Sequence, residues 1–368
     1  MKITIPEYGG QFNIVSIALD KKAKDDLLRE GVEFWFVQRD NIISYPENKI
    51  LTDNKTVIEQ MHRCNNYDVF EIENDGIATR CYDDSSVENG FFITGRCNSN
   101  CIMCPSPDYS RQNGFDANIN NLITIAEHIP SDTVHLTITG GEPFIVGKDI
   151  FRLFEYCRKK FEQTEFLILT NGRVFAINEY CQLFKETIPY NSIVGIPIHG
   201  SCDMIHDAIT QVRGSFFQTV TGIKRLVKLG IKTELRIVVC KNNVEDMLEL
   251  AKFIVNELYG IDHVSIMAME MTGSAYKNEN LVWIPYKESF RYVSPAVKLL
   301  VKAGIDVRLY NFPLCTVDKG MWTICAKSIS SWKVRYSEIC EKCIVRESCG
   351  GVFAGTFRLE NGELEPIL

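Results

Sequence analysis

No stretch of this chain stays apolar over the roughly 20 residues that a bilayer-crossing helix requires, and its opening, Met1-Lys2-Ile3-Thr4-Ile5-Pro6-Glu7, lacks the apolar run of a signal peptide. Both absences predict a cytoplasmic protein with no membrane partner. An excess of basic charge is missing too. The 40 Lys and Arg against 47 Asp and Glu leave a net charge of −7, which offers phosphate backbones no general attraction and argues against nucleic acid as a partner. No internal repeat or low-complexity segment is found, and 45% hydrophobic with 24% charged content excludes a disordered or fibrous chain. The 368 residues suit one large α/β domain with extensions, or about two to three domains. What the chain has in unusual number is cysteine, 14 in all. Without an export signal these thiols are expected to stay reduced, and clustered thiols then point to metal binding or redox chemistry.

From residue 91 onward, short β-rich apolar runs alternate with segments of helical spacing, giving six strand-then-helix units. The predicted strands are Phe91 to Thr94, Val134 to Thr139, Glu165 to Thr170, Ser192 to Ile198, Thr233 to Val239 and His263 to Met267. Six such units imply a parallel α/β sheet curled into a partial or open barrel, with its site at the carboxyl ends of the strands. Residues 1–88 read instead as a separate α+β domain, with strands near Lys2 to Ile5, Phe34 to Phe36, Asp68 to Glu73 and Ile77 to Tyr82 and a helix from Lys21. The barrel is expected over 89–305. After Asp306 to Tyr310 the alternation stops, and residues 306–368 form a cysteine-bearing extension of irregular pattern.

At the end of the first predicted barrel strand stands Gly95-Arg96-Cys97-Asn98-Ser99-Asn100-Cys101-Ile102-Met103-Cys104, with Cys97, Cys101 and Cys104 spaced C-x3-C-x2-C. Tetrahedral zinc would want a fourth ligand close by, whereas a 4Fe-4S cube held by three cysteines keeps one iron open for an outside ligand. The bland alternative is a zinc knuckle or a set of buried thiols. One unit later the second strand ends in Thr139-Gly140-Gly141-Glu142-Pro143. Its glycines allow close backbone approach to a ligand, and its carboxylate is able to accept hydrogen bonds from an ammonium group.

These two motifs resemble the radical S-adenosylmethionine (SAM) superfamily, whose fold is a partial (β/α)6 barrel. The resemblance implies that Cys97, Cys101 and Cys104 hold a 4Fe-4S cluster whose open iron binds SAM. It further implies that SAM is reductively cleaved there to a 5′-deoxyadenosyl radical. It assigns Gly140, Gly141, Glu142 and Pro143 to SAM, sets Met103 against adenine, and gives Asn171 of Thr170-Asn171-Gly172 a cofactor contact. Ile205-His206-Asp207 followed by Gly214-Ser215-Phe216 matches the stretch after the fourth strand in peptide-modifying members. Where relatives end that strand in Ser-Leu-Asp-Gly, this chain has Pro197-Ile198-His199-Gly200, so His199 is either a replacement donor to the cofactor or a structural residue. Arg236, a charge inside the apolar fifth strand, needs an acid, either the SAM carboxylate or a neighbour such as Glu234.

In the tail, Cys315, Cys340, Cys343 and Cys349 supply four thiols, the last three as C-x2-C-x5-C. Spacing leaves structural zinc and an iron-sulfur cluster equally open; relatives that modify peptides carry an auxiliary 4Fe-4S cluster in such an extension. The other seven, Cys64, Cys81, Cys157, Cys181, Cys202, Cys240 and Cys325, read as core fillers, with Cys202 and Cys240 the two that could face the cavity.

Cys104-Pro105-Ser106-Pro107, Asn311-Phe312-Pro313-Leu314-Cys315, Ser328-Ile329-Ser330-Ser331-Trp332-Lys333 and Cys349-Gly350-Gly351-Val352-Phe353 together resemble the His-Xaa-Ser system maturase of the HxsC type. That resemblance implies hydrogen abstraction from a residue of a ribosomally made precursor peptide. It also implies a second radical SAM maturase as companion and reduced ferredoxin or flavodoxin as electron donor. The alternatives are a small molecule or a folded protein of the sulfatase-maturase kind as substrate, or a non-enzymatic metal-binding scaffold. For residues 1–88 the readings are peptide recognition by strand addition and a simple cap on the barrel.

Overall fold

Closely spaced turns along the first 82 residues favour antiparallel pairing, which needs no crossover helix. The computed structural model, which describes residues 1–6, 8, 13–106 and 114–368, bears this out with a seven-stranded sheet. Its strands are β1 (Lys2–Thr4), β2 (Ile14–Ala18), β3 (Phe34–Val37), β4 (Ile42–Tyr45), β5 (Lys49–Thr52), β6 (Val69–Ile72) and β7 (Ile77–Tyr82). They lie in the order β1-β7-β6-β2-β3-β4-β5. β2 and β3 are joined through the helix Lys21–Glu30 and pair in parallel, whereas the other neighbours pair antiparallel.

Three of these strands, β2, β4 and β5, and the helix Lys55–Met61 had no counterpart in the sequence reading. The reason is clearest in β2, where every residue is buried. Val15 and Ile17 pack under the helix Lys55–Met61, while Ile14 joins Val69 and Tyr82 against the first barrel helix, Ile119–His128. A strand covered on both faces does not alternate, so the period-2 signal vanishes.

The second sheet is parallel throughout, and its strands lie in chain order from edge to edge. They are β8 (Gly90–Phe92), β9 (His135–Thr139), β10 (Glu165–Leu169), β11 (Asn191–Pro197), β12 (Thr233–Val238), β13 (His263–Met267), β14 (Asp306–Tyr310) and β15 (Cys325–Ala326). The six predicted barrel strands are all present, with ends shifted by one or two residues. Two more follow. β14 pairs with β13 in register along its whole length, from His263 opposite Asp306 to Met267 opposite Tyr310. The crossover helix Tyr286–Lys302 makes this parallel return feasible. The run Asp306 to Tyr310, after which the alternation was expected to stop, is thus a further parallel strand of this sheet, and β15 extends the edge with residues that lie inside the irregular tail. A short hairpin of β16 (Val334–Arg335) and β17 (Val352–Phe353) completes the tail.

Along β10, Phe166 and Ile168 point outward into the helix-packed core, whereas Glu165, Leu167 and Leu169 on the other face are less buried. The same alternation in β9 leaves one apolar face under helices and one lining a lumen. Among the described residues no helix is long and apolar enough to cross a membrane.

One contact fixes the spacing of the third and fourth units. The helix Ser215–Lys228 lies on the turn Arg173–Ala176, with Gly222 facing Gly172, whose φ of +75° turns its carbonyl toward the helix. A Cβ at Gly222 would stand 2.2 Å from that oxygen. Gly222→Ala gains about 1 kcal/mol of helix propensity, but overpacking against backbone costs about 1–3 kcal/mol. The expected outcome is net loss, read as a lower urea midpoint with an unchanged slope.

Candidate functional site

The cysteine loop follows β8 and is tied down from every side. Asn100 N–H donates to Thr210 O (2.9 Å) and Ile102 N–H to Ile209 O (3.0 Å), fastening it to the end of the helix Asp203–Thr210. From the loop after β13, Ser274 N–H donates to Cys104 O (2.9 Å) and Asn278 Nδ2 to Ile102 O (2.8 Å). Arg96 pairs with Asp116 through Nε (2.9 Å) and Nη2 (2.5 Å), and Asp116 also accepts from Thr94 Oγ1 (2.5 Å). Cys97, Cys101 and Cys104 are each half-buried, so the loop is fixed while its thiols remain accessible. Of the Cys104-Pro105-Ser106-Pro107 stretch, Pro107 lies outside the described residues.

The Gly-Gly-Glu-Pro strap lies directly on this loop. Gly141 N–H donates to Thr94 O (2.7 Å) and Glu142 N–H to Arg96 O (2.8 Å). A Cβ would stand 2.7 Å from Thr94 O at Gly140 and 2.2 Å from Arg96 O at Gly141, so only glycine fits. Glu142 is 1% exposed. Its carboxylate accepts from Thr170 Oγ1 (2.8 Å), Asn171 N–H (2.7 Å) and Phe144 N–H (3.2 Å), locking the ends of β9 and β10 together. Burial pushes its pKa up against the lowering pull of those donors. Pro143 is buried and opens the turn Pro143–Asp149. In this arrangement the Glu142 carboxylate is committed to the protein's own donors.

Asn171 reaches across to the cysteine loop, its Nδ2 donating to Asn98 Oδ1 (2.6 Å). Arg173 does the same, with Nη1 donating to Asn98 O (2.6 Å) and Ser99 Oγ (3.2 Å) while Nε holds Gln218 (2.7 Å). Sequence reasoning passed over Arg173, Asn98 and Asn278. Arg173 follows directly on Asn171-Gly172, but a charged residue after a turn carries no signal until the loop it holds is seen.

Met103 turns inward and is 7% exposed, packed with Cys240, Ile209, Met269 and Met271. Cys240 is thus fully covered, and burial raises its thiol to about 11, which leaves it inert. Cys202 is half-buried at the cap of the helix Asp203–Thr210. His199, at the end of β11, is 3% exposed beside His206, with ring centroids 5.4 Å apart. Its backbone N–H donates to His206 Nδ1 (3.1 Å). Its own Nδ1 finds no partner among the described residues. Burial first, then His206, lowers its pKa to about 3, so the ring is neutral. Asp207 of the neighbouring motif is spent on structure: it accepts from Gly214 N–H, Ser215 Oγ and Phe216 N–H and so starts the helix Ser215–Lys228.

Inside the lumen Arg236 has the nearer of its two expected partners. Nη1 holds both oxygens of Glu234, at 2.9 and 3.1 Å. Burial would raise the Glu234 pKa, but the His263 hydrogen bond and the Arg236 charge overcome it and bring it down to about 2. The pair lies over Gly195, where a Cβ would stand 2.9 Å from Arg236 Cδ and 3.1 Å from Glu234 Oε2.

Cys315, Cys340, Cys343 and Cys349 all line one hollow in the tail. Backbone donors already face two of the sulfurs: Leu314 and Gly351 N–H point at Cys349 Sγ (3.4 Å each) and Ile367 N–H at Cys343 Sγ (3.5 Å). Such donors are what a thiolate ligand needs. Burial first, then repulsion between neighbouring thiols, raises the pKa of Cys315 and Cys340. Cys325 sits half-buried in β15, outside that lining. The helix Ala354–Phe357 docks the tail on the loop after β13, where Thr356 Oγ1 accepts from Met271 N–H (3.1 Å) and donates to Met269 O (3.2 Å).

Among the described residues no group of three or more His, Cys, Asp or Glu side chains already stands in metal-binding geometry, so closing either thiol set on a metal requires side-chain rotation. The donor sets themselves are all thiol, which suits iron-sulfur clusters and zinc over hard cations. Around the first set, three half-buried thiols in one loop and the orphaned His199 nitrogen at the end of β11 fit a bound cofactor.

Comparison with known proteins agrees with this arrangement. Residues 91–254 match the family model described as Radical SAM superfamily. The antilisterial bacteriocin subtilosin biosynthesis protein AlbA of Bacillus subtilis (strain 168) is 29% identical over 163 residues, 44% of this chain and 35% of that protein. A cysteine-type anaerobic sulfatase-maturating enzyme of Clostridium novyi (strain NT) is 29% identical over 175 residues, 44% of this chain and 45% of that one. The solved structure of native anSMEcpe with bound AdoMet and Kp18Cys peptide aligns over 60% of this chain and 63% of its own at 16% identity, with a TM-score of 0.48. Each of these matches takes in less than two thirds of the relative's own length. The superfamily works with a 4Fe-4S cluster and SAM, and the cysteine loop with its glycine strap falls inside the matched segment. On this match and on the loop it contains, residues 91–254 are a radical SAM segment.

Proposed function

We propose that this enzyme is a maturase that modifies a residue of a ribosomally made precursor peptide, of the His-Xaa-Ser kind. The observation that carries this reading is the tail. A second four-thiol hollow is docked through Thr356 onto the Met269 to Met271 loop, which packs against Met103 of the first cysteine loop. Two metal centres would then flank one lumen. The similarity to a bacteriocin biosynthesis protein supports a peptide substrate. The similarity to a sulfatase-maturating enzyme supports modification of a protein residue as the second reading.

Cys97, Cys101 and Cys104 would hold the SAM-binding cluster, and Cys315, Cys340, Cys343 and Cys349 an auxiliary one. When bound, the cluster and SAM supply a 5′-deoxyadenosyl radical able to take hydrogen from an unactivated carbon. The chain's part is to hold and to shield. Gly140 and Gly141 set the depth of the loop, Asn171 and Arg173 fix its orientation, and the Glu234–Arg236 pair gives the lumen a polar floor. The apolar wall of Met103, Cys240, Met269 and Met271 excludes water beside the loop. Residues 1–88, 89–305 and 306–368 would serve as recognition, catalytic and auxiliary units, and a cytoplasmic ferredoxin or flavodoxin would be the electron donor.

The test is anaerobic reconstitution with an iron and sulfide count, followed by SAM turnover with a His-Xaa-Ser precursor peptide. About eight irons per chain, 5′-deoxyadenosine release and a mass change in the peptide are expected. Zinc in the tail would reassign that site as structural, and an unchanged peptide alongside steady SAM cleavage would move the substrate elsewhere. Cys101→Ser should abolish 5′-deoxyadenosine formation.

Arg173→Gln should lower the unfolding free energy by about 1 to 3 kcal/mol through the loss of its charge-assisted hydrogen bonds, and alter the electron paramagnetic resonance signal of the first cluster as the loop loosens. A parent-like signal would make Arg173 a surface residue only. Because thiols must lose protons to bind metal, acidification should weaken retention of the tail metal, read as metal content falling with pH in a dialysis series; metal loss independent of pH would contradict thiolate ligation.

A further inference from the structure

The connection from β13 to the helix Tyr286–Lys302 lies between the two cysteine-bearing segments and meets both of them backbone to backbone. On the barrel side stands Gly273, with φ +54°, where a Cβ would come 2.6 Å from Cys104 O and 2.7 Å from Pro105 O. Ser274 N–H donates to that same Cys104 oxygen (2.9 Å), and Asn278 Nδ2 to Ile102 O (2.8 Å). On the tail side stands Gly355, where a Cβ would come 2.7 Å from Met271 O. Beside it Thr356 is fully buried, accepting from Met271 N–H (3.1 Å) and donating to Met269 O (3.2 Å). Lys333 adds an ion pair with Glu270 (3.3 Å).

A glycine thus brings peptide against peptide on each side of the stretch from Met269 to Ser274. Side chains are able to repack around a small displacement, whereas carbonyl oxygens in direct contact pass it on. The chain from Met271 to Ser274 spans at most about 11 Å even when fully extended, which leaves little slack between the two contacts. Apolar packing joins the same three segments, with Met103 from the cysteine loop, Met269 and Met271 from the connection and Leu359 from the tail in one cluster. Behind Thr356 the tail leads straight back to its thiols: β17 pairs with β16, and Gly351 N–H, just before β17, points at Cys349 Sγ (3.4 Å).

We infer that Gly355 and Thr356 are positioning residues for the first cysteine loop. Through the Met269 to Ser274 stretch they set where Cys104 stands, and so couple metal loading of the tail to the SAM-binding loop. The coupling rests on the reading that both thiol sets hold metal; the link itself is made by protein groups alone. Because coupling between two sites is reciprocal, a disturbance at either end is felt at the other.

Hydrogen exchange read by mass spectrometry, on the full chain without metal, tests the link. Thr356→Val keeps the shape of the side chain and removes both hydrogen bonds, leaving Met271 N–H and Met269 O unpaired. Deuterium uptake should rise about threefold or more in residues 97–106 as well as in 268–279, with β10 and β11 as in the parent. Thr356→Ser retains the hydroxyl and should match the parent. A rise in 268–279 and the tail that leaves 97–106 unchanged would overturn the inference, because a residue that only anchors the tail does no more than that. Should Thr356→Val unfold throughout, Asn278→Ala cuts the same path from the barrel side. Uptake should then rise in 349–357 too, and a change confined to 97–106 would equally overturn the link.

On the reconstituted protein, Cys349→Ser should shift the electron paramagnetic resonance signal of the first cluster in the same direction as Thr356→Val. A tail emptied of metal beside a parent-like first-cluster signal would refute the coupling. A parent tail that takes up no metal would remove the coupling together with the reading it rests on, while the exchange comparison still decides the positioning role.

Discussion

Backbone lies on backbone where the strap after β9 crosses the loop after β8, and the candidate site depends on that contact. Two amide-to-carbonyl bonds, Gly141 to Thr94 and Glu142 to Arg96, hold the crossing. Neither Gly140 nor Gly141 has room for a Cβ, because the oxygens they face are peptide oxygens that cannot move aside as a side chain would. The distance between the cysteine loop and the strap is therefore set by covalent geometry and not by side-chain packing. Such a contact is rigid, and it fixes three half-buried thiols relative to the strand ends that collect the lumen.

Around this crossing, polar groups are buried only where they knit strand ends together. Glu142 joins β9 to β10 by accepting from both, and Thr170 serves it as donor while taking Gly172 N–H as acceptor. Asn171 and Arg173 then carry the connection on to Asn98 and Ser99. Each buried polar atom in this chain of contacts is satisfied, and satisfied networks of this kind specify one arrangement. The exception is His199 Nδ1, whose missing partner at the end of β11 agrees with a ligand there.

The amino-terminal sheet and the tail are each joined to the barrel by continuous packing. Ile14, Val69 and Tyr82 share a core with Ile119, Leu122 and Ile138. β14 leads straight from the barrel sheet into Cys315, so the first thiol of the tail is placed by a strand of the sheet. On the amino-terminal side the same packing sets His128 Nε2 3.4 Å from Glu33 Oε2.

The sequence by itself determined the parallel alternation of six units, the cysteine loop, the glycine strap and the four tail thiols. Each is written in local spacing, and each of these local patterns has few competing explanations. Strand β2 was hidden because burial on both faces removes alternation; the run Asp306 to Tyr310 was legible, but its pairing with β13 was not, because a long crossover helix separates the two. Arg173, Asn98 and Asn278 act across 73 to 176 residues of chain, and no local pattern marks such a pair. Sequence left the partner of Arg236 open; Glu234, two residues earlier on the same strand face, was chosen by the pleat and by the space over Gly195. The fate of the Glu142 carboxylate, turned onto the protein's own donors, was likewise decided only when β9 and β10 came side by side. Residue type and spacing announce which groups are present, whereas hydrogen bonds between distant strands depend on register, and register exists only in the folded sheet.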